Sequence, residues 1–157
     1  MDTQVIEILG RNRLVNELLQ AGLEVARPER DRGIDLFAYA DLSPTVQSFI
    51  ARPIQMKAAS GQGFSLATKY RRLPDLILAY VWHLATPAQA ITYALTYDEA
   101  LAIAEALPWT KTESWAQGQY ATSHPSQQLL TLLEPYAMTP ARWWTKVTSL
   151  PQEERAT

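Results

Sequence analysis

The chain has 157 residues, 47% apolar and 19% charged, a length that suits one domain with a real core and a composition that excludes a disordered protein. It has no cysteine, which excludes disulfides and thiolate metal sites. Its formal charge of −2 excludes an indiscriminate coat for nucleic acid, yet residues 1–72 hold ten Lys/Arg against eight Asp/Glu, whereas residues 73–157 hold four against eight.

In chain order, the first predicted element is a helix over about residues 3–21. Val5, Ile6, Leu9, Leu14, Val15, Leu18 and Leu19 recur there at helical spacing, and Gly22 is the stop. Gly10 inside the run weakens the pattern. Residues 23–27 read as a short strand and 28–32 as a polar turn. Residues 33–40 alternate, with Ile34, Leu36 and Ala38 on one side and Asp35, Phe37 and Tyr39 on the other. A loop over 41–45 leads to a strand over 47–58, in which Pro53 predicts a bulge or an edge position. Ser60-Gly-Gln-Gly63 is a turn, followed by a short strand over 64–68. The apolar run 76–82 predicts a strand buried on both faces, and 90–97 a further strand.

Thr96-Tyr-Asp-Glu99 is a capping-box pattern ahead of a helix that runs to Leu107. Residues 108–123 read as a long connection, 125–133 as a helix, and Thr139-Pro140 as the start of a last short one. This order predicts an α/β or α+β domain. The expectation is one domain over 1–157, with a core over 3–107 and a C-terminal helical extension over 108–157. No apolar run spans a bilayer, and Met1-Asp2-Thr3-Gln4 has neither the basic flank nor the apolar stretch of a signal peptide. A soluble cytoplasmic protein, with no membrane partner, is expected.

Asp35 stands in an otherwise apolar strand, where an ionised carboxylate is costly unless paired or bound to a cation. Twenty residues on, Gln55 and Lys57 project from one face of the next strand while Met56 points to the core. If the strands pair, a carboxylate, an amide oxygen and an ammonium converge. Phosphodiester hydrolysis requires such a set: oxygen ligands for Mg²⁺ (or Mn²⁺), with the Met56 backbone carbonyl as a further one, and a cation near the attacking water. The alternative is that Asp35 caps a turn or forms a structural ion pair with Lys57.

Residues 10–25, then Asp31-Arg-Gly-Ile-Asp-Leu36, then Ile54-Gln-Met-Lys-Ala58 resemble the PD-(D/E)XK nuclease superfamily. The Gly-Ile-Asp and Gln-x-Lys pieces most resemble its Mrr-type restriction endonucleases and archaeal-type Holliday-junction resolvases. The resemblance spans about residues 3–60. It implies a restriction-endonuclease-like αβββαβ core with a mixed sheet, a Mg²⁺-dependent endonuclease activity, a DNA substrate and a homodimer. It assigns the metal-binding aspartate to Asp35, the acidic or amide ligand to Gln55 (a Gln also occurs there in the Mrr-type branch), and the lysine to Lys57. The family's helix-borne glutamate is missing, since Arg11-Asn12-Arg13 stands in its place. Glu7 is the substitute, although an i,i+4 pair with Arg11 is its simpler role. Glu17 is expected on the solvent face with Arg13 and Gln20. A catalytically inactive nuclease-fold protein that binds DNA or a protein partner is the alternative function.

Arg11, Arg32, Lys69, Arg71 and Arg72 are the candidates for DNA contact, the last three around Tyr70. His83 reads as a core residue and His124 as a helix cap. Trp109, Trp115, Trp143 and Trp144 read as core or interface residues, with the Trp143-Trp144 pair a possible surface for self-association.

Overall fold

A computed structural model of the chain describes residues 1–40, 46 and 48–150. The expected loop over 41–45 and the start of the strand expected at 47 fall on or beside residues outside this set. Helix α1 (Thr3–Gln20) comes first. The Asp2 Oδ1 caps it by accepting the Gln4 N–H at 2.7 Å, and Gly22, at φ 88°, turns the chain out of it. Strands β1 (Glu24–Ala26), β2 (Leu36–Ala40) and β3 (Ile50–Ala58) then form an antiparallel meander. Strand β4 (Phe64–Ala67) leaves that sheet, and a 3-10 turn over Thr68–Arg72 leads to β5 (Ile77–Trp82), parallel to β3. Strand β6 (Ile91–Thr96) completes the sheet antiparallel to β5.

The resulting fold is α+β around a mixed five-stranded sheet of order β1-β2-β3-β5-β6. A parallel pair needs a crossover, usually an α-helix. Here the crossover from β3 to β5 carries β4 and the 3-10 turn in place of the helix expected from an αβββαβ order. Strand β4 pairs instead with β7 (Gln119–Thr122) in a second, two-stranded sheet. The stretch 108–123, expected as a long connection, therefore carries both β7 and the short helix α3 (Glu113–Ala116).

Pro53 sits in a central strand, which a missing N–H would ordinarily forbid. It pairs with Phe37 on the β2 side, while pairing with β5 begins only at Ile54↔Ile77. At Pro53, β3 is thus locally an edge, as the proline predicts.

Both faces of the sheet are covered. On one, Leu36, Ala38, Ile54, Ile77, Ala79 and Ala94 pack beneath α1 and α5 (Pro140–Thr148), with Leu14, Leu18, Trp143 and Val147 buried between. On the other, Leu78, Tyr80, Trp82, Tyr93 and Leu95 pack beneath α2 (Tyr97–Ala106), α4 (Gln127–Leu133) and the β4–β7 pair. All six residues of β5 are buried, as a strand covered on both faces requires. The segment after residue 107 thus supplies both cores. Trp143 and Trp144 are buried, so the pair is no surface for self-association. Among the described residues, no helix is long and apolar enough to cross a membrane.

Glu17 differs from the expectation of a solvent-facing side chain. Its Oε1 lies 3.0 Å from Arg13 Nε and accepts the Thr92 hydroxyl at 2.9 Å, and its Oε2 accepts the Trp143 indole N–H at 3.1 Å. Burying Trp143 required an acceptor for its N–H, and α1 supplies it. Gly10 has a reason as well. A Cβ there would stand 2.8 Å from the Ala58 Cβ and 3.2 Å from Met56 Sδ, so glycine lets α1 lie directly on the end of β3.

Candidate active site at the end of beta-strand three

Asp35 lies one residue before β2 rather than in mid-strand. Its N–H donates to the Ile54 carbonyl at 2.9 Å, and its Oδ2 accepts the Met56 N–H at 2.7 Å. The carboxylate therefore takes over the ladder where β2 has not yet begun. A strand residue sends its N–H and C=O to the same side. The Met56 carbonyl is thereby directed to the edge where Asp35 stands.

Strand alternation separates the neighbours. Met56 packs on the α1 side, whereas Gln55 and Lys57 lie level with Leu78 and Tyr80 of β5, on the opposite face. Lys57 is half-buried beside Tyr70, its Nζ 5.7 Å from the ring centroid, and Lys69 Nζ is 5.2 Å from the same ring. The Lys57 ammonium titrates below its usual range, first because it is buried and second because Lys69 is near; Asp35 opposes the shift. Asp35 and Lys57 do not form an ion pair within 4.0 Å, so the reading of a structural pair does not hold.

One cavity of about 290 Å³ gathers Glu7 and Arg11 of α1 with Asp31, Asp35, Met56 and Lys57. Glu7 faces this cavity and makes no ion pair with Arg11. Arg11, expected to contact DNA, lines the same cavity. Gln55 is the one expected ligand that does not line it. Its Oε1 is nevertheless buried with no hydrogen-bond partner, an arrangement that costs about 1–3 kcal/mol unless something else binds the oxygen. Among the described residues, no three of His, Asp and Glu are grouped closely enough to hold a metal by themselves. A cation here would draw on Asp35 and the Met56 carbonyl, with Glu7 beyond; the Gln55 oxygen lies outside the cavity. Three carboxylates facing two cationic side chains leave the cavity one formal negative charge.

Asp31 was not foreseen. Its Oδ1 accepts the Gly33 N–H at 3.2 Å in a turn that Gly33 completes at φ 93°, and this turn brings it back to the cavity. The Asp-x-Gly spacing was the available signal. The other candidates scatter. Arg32, Lys69, Arg71 and Arg72 are exposed, and only Lys69 stands beside Lys57. Half-buried His83 follows β5 at φ 61° with its ring edge-on to Trp82. His124 is exposed beside Ser123, and Ser126, not His124, caps α4. Lys57 also borders a second groove of about 500 Å³ on the β4–β7 side, lined by Ser65, Thr122 and Ser123.

No family model, curated protein or solved structure matches this chain.

Proposed function

We propose that the chain is a metal-dependent DNA endonuclease with a PD-(D/E)XK-type site in a restriction-endonuclease-like fold. The observation that carries this reading is the cavity shared by Glu7, Asp35, Met56 and Lys57 at the end of β3. The meander β1–β3 followed by a parallel β5 supports it. A Mg²⁺ or Mn²⁺ ion bound there supplies Lewis acidity and a more acidic water. The chain's own part is defined by its contacts. The Met56 N–H orients Asp35 with Oδ2 fixed and Oδ1 left for a ligand. Lys57, with its proton loosened by burial and by Lys69, holds the attacking water and meets charge that develops on the phosphate. The exposed Lys69, Arg71 and Arg72 contact the DNA backbone.

The test is cleavage of plasmid, junction and single-stranded DNA with Mg²⁺ or Mn²⁺. Cleavage that EDTA abolishes and that Asp35→Asn and Lys57→Ala each reduce by about 100-fold or more supports the reading. Equal activity in all three proteins rejects the site. A second reading, a nuclease-fold protein that binds DNA or a partner without cutting, is favoured by one observation: Gln55 does not line the cavity and Arg11 does. Metal-dependent DNA binding with every substrate left intact selects it.

A further inference from the structure

At the other end of β3, about 17 Å from Lys57 at the rise of a strand, lies a larger cavity of about 510 Å³, within the range of small-molecule sites. Its walls are apolar at Pro135, Tyr136, Met138 and Ala141. Its charged residues are Arg52, Glu99, Arg142 and Lys146. Glu99 and Lys146 satisfy each other at 2.6 and 2.9 Å, and Glu99 Oε1 also accepts the Thr96 N–H. Among the described residues, the two arginines have no such partner. Arg52 donates to the Asp75 and Lys146 carbonyls at 2.7 and 3.2 Å, and Arg142 to the Ala137 carbonyl at 2.7 Å. Among the described residues, neither has a carboxylate within 4.0 Å.

These bonds orient the guanidiniums and, among the described residues, leave most of their five N–H donors unused. Two guanidiniums without a carboxylate partner among the described residues suit a doubly charged tetrahedral anion better than a single carboxylate. The apolar walls beside them suit a flat carbon body. We propose that this cavity binds a small phosphomonoester carried on an apolar ring, through Arg52 and Arg142. The proposal is independent of the nuclease reading, since it shares no residue with the Asp35 cavity.

The experiment is calorimetric titration of the full chain with phenyl phosphate, AMP, inorganic phosphate, benzoate and adenosine, with backbone amide shifts followed by NMR. The expected result is saturable binding of phenyl phosphate or AMP. AMP alone marks a nucleotide site, and phenyl phosphate at equal strength marks any aryl phosphate. Inorganic phosphate, benzoate and adenosine should each bind at least about tenfold more weakly, the equivalent of one charge-assisted contact, and shifts should centre on Tyr136, Thr145 and Ser149. Arg142→Gln should weaken binding about tenfold. Ala141→Glu, which places a carboxylate in the wall at an exposed helix position, should abolish it with the fold intact. No saturation by either ester, equal binding of inorganic phosphate or benzoate, or wild-type affinity in Ala141→Glu overturns the proposal.

Discussion

Residues decide the chemistry at Asp35 and Lys57. Because the Asp35 Oδ2 accepts a backbone N–H, an asparagine oxygen can replace it. Asp35→Asn should therefore keep the wild-type fold by circular dichroism while losing any stabilisation by Mg²⁺. An equal rise in melting temperature with Mg²⁺ in both proteins would remove Asp35 from the metal site. Lys57 carries the opposite balance, as burial first and Lys69 second disfavour its charge. A lysine whose folded pKa is depressed weakens the fold fully below that pKa, and the deficit vanishes as pH rises toward the ordinary 10.5. Lys57→Met should raise the melting temperature at pH 7, with a gain that disappears at high pH, while abolishing the cleavage we propose. A loss of stability at pH 7 would contradict the account. That Gln55 and Lys57 share one face of β3 and Met56 takes the other was legible in the sequence because strand period is short and rigid. Asp31 was not, since a turn closed by Gly33 brings it in, and the shielding of Glu17 depends on Trp143, 126 positions away.

Elements were legible where local pattern and packing agree, as in α1, β5 and the capping box of α2. They were not where pairing is remote. Strand β7 has little apolar signal, and its partner β4 lies more than 50 residues earlier. Gly10 shows the same contrast, being a helix weakness in the sequence and a contact point in the fold. Gly10→Ala should gain about 1 kcal/mol of helix propensity yet lose about 1–3 kcal/mol to the clash with Ala58 and Met56. Net destabilisation in urea denaturation, with the end of β3 displaced, is the expected outcome. A more stable protein would mean that α1 moves away at no cost.

Across the whole molecule, α2 and α5 cover opposite faces of the sheet, and Glu99 with Lys146 joins them around its end. Burial by itself would raise the Glu99 pKa. The Lys146 and Thr96 hydrogen bonds outweigh it, and the carboxyl stays below its usual 4.5. A depressed carboxyl stabilises the fold above the unfolded value and loses that contribution as pH falls through the folded one. Melting temperature should fall through this acid range in the wild type and fall less in Glu99→Gln. Parallel curves would show that the pair does not couple the layers.

Pro53 bears on how the chain avoids its own copies. Unpaired strand groups are templates for edge-to-edge aggregation. The start of β3 is such a template on its β5 side, and Pro53 removes the donor there, while Arg52 ties its side chain to the Asp75 carbonyl. Among the described residues, the outer strands of the five-stranded sheet are short or partly covered: β1 has three residues, and β6 carries the Tyr93↔Ala137 bridge. A proline inside a central strand therefore withholds the N–H donor that an added strand would need, at a residue of β3 that precedes its pairing with β5.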